Sequence, residues 1–359
     1  MLNLNEAQTR KQLIDQALAA ARWNVADPKR VGSEIPADGF SPQAWRALQG
    51  RIREAGLPLD VKLPSGICDY VLYRENGEVL AVVEAKRTSI DPRMGQAQTR
   101  FYVEEIAQRQ NVRPFGFMSN GLDTYFYDVG RAAERPVYGF FFREDLENLL
   151  YLREHATALT QATINTKIVD RTYQHEALRR VSEVFEQGRR KALLVMATGT
   201  GKTRVAIALI DLFLRTDQAR RIIFVADRDA LTQQALEEGF LTHIPHELCV
   251  RIHSQTVGDV KGKRLFAVTL QTPNQCFRDF TPGFFDLIIF DEVHRSIFNK
   301  WNKPMHYFDS ILISCIASPA LPPTAILRPG PSLRMPARPA ARVGAAGGAS
   351  GPDAVASGV

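Results

Sequence analysis

The chain has 359 residues, enough for about two domains, and its 45% hydrophobic and 23% charged content lets most of it bury a core. A net charge of +6 suits a nucleic-acid partner without requiring one. Four scattered cysteines with no Cys-x-x-Cys pair argue against a zinc or disulfide framework. No secretion signal or apolar stretch of membrane length is visible, so the expectation is a cytoplasmic protein with no membrane contact.

The elements fall into three zones. From Glu6 to Arg22, apolar residues recur at helical spacing (Leu13, Ile14, Ala17, Leu18). Residues 23–66 are rich in Pro and Gly and read as loop, with some helix near 42–55. Short strands are predicted over 69–74, 79–86, 115–118 and 124–127, with a helix over 94–109. The second zone opens with a helix over 174–187, capped by Gly188. Apolar strands then alternate with helices: Ala192–Ala197, Ile222–Ala226, Phe266–Leu270 and Leu287–Phe290. Continuous apolar strands spaced by helices indicate a parallel sheet covered on both faces. The third zone, from Ile316 to Val359, holds 11 Ala, 8 Pro and 6 Gly in 44 residues and no aromatic residue, Lys or Glu. It has too little apolar surface to offset the entropy of ordering, so disorder is expected.

Two segments carry chemistry. In the first, Asn76-Gly77 lies between apolar runs, a signal for a two-residue type I′ hairpin turn. The register of such a turn sets Asp69 directly opposite Glu84, and Lys86 points to the same face two residues on. Two carboxylates suit Mg²⁺, which can activate water and neutralise charge on a phosphodiester. Lys86 can stabilise the pentavalent phosphorus or position the water. Asp…Glu-x-Lys alone is a weak pattern, but Val82, Val83 and Ala85 make its strand apolar, so its charges need a reason. The next helix sets Gln98 and Tyr102 four residues apart, on one face. Asp, Glu-Ala-Lys and Gln-x-x-x-Tyr in this order resemble the nuclease domain of type I restriction R (HsdR-like) subunits, of the PD-(D/E)-x-K superfamily. The resemblance implies that Asp69 and Glu84 bind metal, Lys86 is catalytic, and Gln98 and Tyr102 support the site. Glu6 is similar to the helical acidic residue beside the metal, although first-turn acids also offset the helix dipole. Ser119-Asn120-Gly121 matches a family turn and reads as structural.

In the second segment, an apolar strand runs into Ala197-Thr198-Gly199-Thr200-Gly201-Lys202-Thr203 and then a helix. Backbone N–H groups of such a loop cradle phosphates; Lys202 would reach the β- and γ-phosphates of ATP and Thr203 would ligate Mg²⁺. Leu287-Ile-Ile-Phe-Asp291-Glu292-Val-His294 ends a strand in carboxylates. Asp291 would hold Mg²⁺ directly or through water, and Glu292 is the candidate base for the attacking water. Both motifs resemble those of superfamily 2 DExH helicases. That resemblance implies an adenine-reading role for Gln174, a DNA-phosphate contact or a surface salt bridge for Arg228, and a DNA-facing strand end at Val268-Thr-Leu-Gln271.

The expected architecture is α/β. A mixed-sheet, restriction-endonuclease-like domain (1–165) precedes a RecA-like, ATP-binding P-loop lobe (166–314), followed by a disordered tail (315–359) whose composition suggests a shifted reading frame. Loss of the strand beyond 313 is expected to leave the lobe's sheet with an exposed edge. The resemblance covers about residues 3–313 and implies ATP- and Mg²⁺-dependent cleavage of double-stranded DNA beside methyltransferase (M) and specificity (S) subunits. Two alternatives stay open: an inactive truncated fragment that keeps only nucleotide or DNA binding, and a stand-alone DExH helicase with a degenerate nuclease domain.

Overall fold

The computed structural model describes residues 3–36, 66–247, 249–252, 260, 262–269, 277–291, 303–317 and 326–329. The helix expected near 42–55, Gln271, Cys276, Glu292, His294 and most of the tail lie outside the described residues.

The first domain is built on a six-stranded sheet in the order β1-β2-β3-β4-β5-β6. Its strands are β1 (Val31–Pro36), β2 (Ile67–Tyr73), β3 (Val79–Ala85), β4 (Phe115–Ser119), β5 (Thr124–Tyr127) and β6 (Arg135–Val137). All neighbours are antiparallel except β3 and β4, which are parallel and joined through the Gln96–Ala107 helix. The sheet is therefore mixed, as expected. The reading of 23–66 as loop missed β1, whose Gly, Ser, Glu and Pro disguise an edge strand.

Alternation along β3 divides the core. Ala81, Val83 and Ala85 join the cluster under the N-terminal helix and the Arg143–His155 helix, with Ile14, Leu18, Phe117, Phe126 and Phe141. Val82 packs on the other face with Val103, Ile106 and Tyr102 of the Gln96–Ala107 helix. A two-residue period then puts Glu84 on the Val82 face, against that helix. The N-terminal helix is continuous from Glu6 to Ala20 but is π-helical over Arg10–Ile14.

The hairpin departs from the expected turn while keeping the expected register. Asn76 does not adopt positive φ and Gly77 does (φ 87°), so the connection is a three-residue turn, not type I′. Arg74 N donates to Glu78 O at 2.9 Å and Gly77 N donates to Arg74 O at 3.2 Å, the pattern of a turn closed by a left-handed glycine. That turn alone would slip the pairing by one residue. An irregularity between Leu72 and Tyr73 restores it, so Leu72 faces Ala81 and Tyr70 faces Val83. Asp69 consequently lies level with Glu84.

The second domain is a seven-stranded sheet in the order β13-β7-β12-β11-β8-β10-β9. It comprises β7 (Lys191–Met196), β8 (Ile222–Ala226), β9 (Cys249–Arg251), β10 (Leu265–Thr269), β11 (Leu287–Asp291), β12 (Ile311–Ala317) and β13 (Ile326–Pro329). All neighbours are parallel except β13, which is antiparallel to β7. Apolar clusters cover both faces, one including the Thr172–Glu186 and Lys202–Arg215 helices. Two expectations about the tail are corrected here. Order continues past residue 315, because Ile311–Ala317 is a strand between β7 and β11; Ile313 and Cys315 are fully buried there. The sheet has thus not lost that strand, and β13 pairs along the outer side of β7. The seven-residue run ILISCIA is apolar enough for an interior strand, whatever its flanks.

The two domains meet across buried ion pairs. Arg135 of β6 grips Asp309, just before β12, at 2.7 and 2.6 Å, and Arg190 reaches the same carboxylate at 3.2 Å. Asp145 of the first domain pairs with Arg221 of the second at 2.8 Å, and Asn148 donates to Asp286 at 2.8 Å.

Candidate functional site

The first site forms where β2 begins and β3 ends, beside the Gln96–Ala107 helix. Asp69 is oriented from two sides. Its Oδ2 accepts from the backbone N–H of Ala85 at 2.7 Å, and its Oδ1 accepts from Arg10 Nη1 at 2.9 Å. Glu84 is 3% exposed. Its Oε1 accepts from Lys86 Nζ at 2.5 Å, while its Oε2 is buried with no hydrogen-bond partner. Lys86 Nζ also donates to Gln98 Oε1 at 2.8 Å, so Gln98 holds the lysine in place. Tyr102 is buried in the apolar cluster on this face. Its ring closes on Gly66, where a Cβ would stand 2.4 Å from a ring carbon. Gly95 lets the turn before the helix touch the site, since a Cβ there would meet Glu84 Cγ at 2.7 Å.

The electrostatics fit a hard cation. Burial raises the Glu84 carboxyl to about 7 against the pull of Lys86, with the negative charges of Asp69 and Glu6 adding to the rise. Burial likewise raises Asp69, opposed by the Ala85 N–H and by Arg10. Burial next to Glu84, Cys68, Asp69 and Glu6 also raises the Tyr102 phenol, so it stays neutral. A buried, unpartnered carboxylate oxygen beside a second carboxylate is costly until something positive satisfies it. A hard divalent cation such as Mg²⁺ would supply that, since both groups are hard oxygen donors. Among the described residues no group of three or more His, Cys, Asp or Glu is arranged to hold a metal. Two carboxylates would leave the remaining positions to water and phosphate oxygens, the usual arrangement for Mg²⁺.

Of the expected residues, Asp69, Glu84, Lys86, Gln98 and Tyr102 converge here. Glu6, exposed in the first helical turn, is near enough for its charge to raise Glu84. Ser119 and Asn120 secure the strand ends. Ser119 O accepts from Lys86 N at 2.8 Å, and Asn120 Oδ1 accepts from Asp123 N at 2.8 Å. Sequence reasoning missed Arg10, which joins Asp69 to Glu34. The one local signal is its place on the helical face of Glu6, at i and i+4.

The second site lies at the C-terminal end of β7, where the loop from Ala197 leads into the Lys202–Arg215 helix. Gly199 (φ 75°) and Gly201 (φ 83°) are left-handed. A side chain at Gly201 would be strained, and its Cβ would stand 2.7 Å from Gln174 Nε2. Gln174 is 2% exposed and donates to Thr200 O at 2.9 Å; Tyr173 OH donates to the same oxygen at 3.0 Å. Thr200 Oγ1 donates to Ala197 O at 2.6 Å, which closes the loop on itself. Thr198 and Gly199 are exposed, and Lys202 is buried. Across the sheet, Thr203 Oγ1 donates to Asp291 Oδ2 at 2.7 Å. The hydroxyl and carboxylate expected to share a metal are therefore already in contact, at the N-terminus of a helix suited to phosphate. Arg228 is exposed just before the Asp229–Gln234 helix.

Comparison with known proteins agrees with both halves. Residues 59–135 match the family model described as "Type I restriction enzyme R protein N terminus", and residues 167–319 match "Type III restriction enzyme, res subunit". The chain is 30% identical over 262 residues to the type I restriction enzyme EcoAI endonuclease subunit of Escherichia coli, covering 67% of this chain and 32% of that subunit. It is 29% identical over 410 aligned positions to the EcoKI endonuclease subunit of E. coli strain K12, covering 89% of this chain and 33% of that subunit. The chain thus spans about a third of the length of these relatives. A solved fragment described as an HsdR subunit of a type I restriction enzyme from Vibrio vulnificus YJ016 aligns with 89% of this chain and 56% of its own, at 22% identity and a TM-score of 0.34. The chain is similar to the N-terminal region of type I restriction R subunits, with a helicase-type lobe behind it. Among the described residues, no helix is long and apolar enough to cross a membrane.

Proposed function

We propose that this chain corresponds to the nuclease domain and first RecA-like lobe of a type I restriction R subunit, which cuts double-stranded DNA with Mg²⁺ under the control of an ATP-driven motor. Residues 1–165 form the nuclease, and residues 166–314, continued by the rest of the Ile311–Ala317 strand, form the lobe. Methyltransferase and specificity subunits would be its partners and would supply recognition of the DNA site.

Asp69 and Glu84 would hold the divalent ion, which would supply an activated water and neutralise charge on the phosphodiester. Lys86, fixed by Gln98, stands where negative charge gathers on the phosphorus. Tyr102 keeps the site's floor dry, and Glu6 adds negative potential from outside. In the lobe, the amides of Thr198–Thr203 would cradle the ATP phosphates, Lys202 would meet the β- and γ-phosphates, and Thr203 with Asp291 would hold the second Mg²⁺. Gln174 braces the loop from beneath, with both ends of its amide engaged by Thr200 O and Arg171 N, so the base-reading role the resemblance implies would require that amide to turn. Glu292 activates the attacking water, and Arg228 contacts a DNA phosphate.

The observation that carries this reading is the buried, unpartnered Glu84 Oε2, set beside Asp69 and a lysine clamped by Gln98. The test is nicking of supercoiled plasmid by the purified chain in Mg²⁺, with and without ATP, beside Glu84→Ala. Loss of cutting in the variant is expected. Undiminished cutting by Glu84→Ala would sink the assignment.

A further inference from the structure

We propose that Arg10 is a positioning residue that closes the nuclease site against metal by holding Asp69, and that Glu34 is the acceptor to which Arg10 passes when a divalent ion takes Asp69. This rests on the metal-site reading above and adds two residues to it.

Three independent features converge on this pair. Arg10 forks between two carboxylates, with Nη1 on Asp69 Oδ1 at 2.9 Å and Nη2 on Glu34 Oε1 at 3.0 Å. Asp69 Oδ2 is already committed to the Ala85 N–H, so Oδ1 is the oxygen that turns toward either a metal or the guanidinium. Second, Glu34 adopts φ 54° within a strand, a left-handed conformation that strains a non-glycine residue. The β1–β2 register runs from Ser33 opposite Tyr70 to Ile35 opposite Cys68, which sets Glu34 level with Asp69. Strain kept at one residue beside a candidate site calls for a functional reason. Third, the π-helical stretch begins at Arg10, and such stretches gather at functional sites.

The exposures give the exchange a direction. The Asp69 side chain is 11% exposed, Arg10 23% and Glu34 57%. A guanidinium moving from Asp69 toward Glu34 travels outward, from a buried partner to a solvated one. It keeps a counter-charge throughout, so the exchange strands no buried ion. While Arg10 sits on Asp69, its charge opposes any cation arriving between Asp69 and Glu84. The stacking of Arg10 on the Tyr70 ring, 5.6 Å from the centroid, sets where its side chain pivots.

The test is Mn²⁺ binding to the full chain by titration calorimetry without nucleotide, for wild type, Arg10→Gln, Glu34→Gln and the double variant. Arg10→Gln is expected to bind about tenfold more tightly, the scale on which a unit charge at ~4–6 Å biases a neighbouring carboxylate. Glu34→Gln is expected to bind several-fold more weakly, because Arg10 loses its second acceptor. The double variant is expected to match Arg10→Gln. Arg10→Lys, which keeps the charge, is expected to stay near wild type. Weaker or unchanged binding by Arg10→Gln overturns the proposal, since Arg10 would then only orient Asp69. An equal Glu34→Gln effect with Arg or Gln at position 10 also overturns it, since Glu34 would then act on the metal directly. Glu84→Gln separates the metal site from the arginine exchange. If it binds Mn²⁺ as wild type does, the metal-site reading itself fails.

Discussion

Asp309→Asn tests whether the two domains are held together by charge. The Asp309 carboxylate takes two hydrogen bonds from Arg135 across the domain boundary and one from Arg190 within the lobe. Arg135 also lies over the Phe126 ring at 4.7 Å, which confines the guanidinium. The two arginines hold the Asp309 carboxyl down at about 2, against the opposing effect of its burial. Asparagine keeps the shape but removes the negative charge between two guanidiniums and turns a donor toward one of them. Breaking a buried pair from one side costs about 3–5 kcal/mol. Arg190 is 36% exposed in its side chain and can shed part of its share to water, so the lower end, about 3 kcal/mol, is expected. At roughly 2–4 °C per kcal/mol for domains of this size, the thermal midpoint should fall by about 6–12 °C at neutral pH. The folded carboxyl lies below its ordinary value of 3.8, so the stability it contributes is present above that value and lost as pH falls toward 2. The penalty of Asp309→Asn should therefore shrink over that acid range. Calorimetric melts of wild type, Asp309→Asn, Arg135→Gln and the double variant would measure the coupling. A shift within about 2 °C, or additive single effects, would refute an ionic clamp between the domains.

Two further outcomes follow from the sites. Glu84 titrates at about 7 rather than 4.5, so the fold loses stability as pH rises from the lower value to the higher. In EDTA, Glu84→Gln should gain stability relative to wild type by a few kcal/mol between pH 5 and pH 8, at about 1.4 kcal/mol for each tenfold change in proton affinity; a constant difference in urea melts would show Glu84 ionised throughout. Gly201→Ala should lose binding of a fluorescent ATP analogue by at least about tenfold and destabilise the lobe by about 1–2 kcal/mol, from positive φ and the clash with Gln174. Wild-type affinity in that variant would mean the loop rearranges freely and its present shape is not the binding shape.

Much of this molecule is legible from local chemistry alone. The interval between Asp69, Glu84 and Lys86, the strand alternation around Val82 and Val83, and the glycine loop ahead of Lys202 are read within short windows, because side-chain period and turn preference act over a few residues. The register at Asp69 came out as expected through two deviations that cancel, a three-residue turn at Gly77 and an irregularity at Leu72. The hydrophobic pattern of β2 and β3 demands that register, and the turn adapts to it. Other features belong to tertiary structure. Arg10 meets Asp69 across 59 positions of sequence, Arg135 meets Asp309 across 174, and Glu34 enters the site on an edge strand whose composition reads as loop. ILISCIA straddles the start of a stretch whose composition argues against order, yet it is an interior strand throughout because β7 and β11 offer it two partners and two covered faces. Local windows specify which groups are present and which way each strand faces. Only packing between distant segments decides which charges share a buried space, because that depends on which surfaces are close when water is excluded.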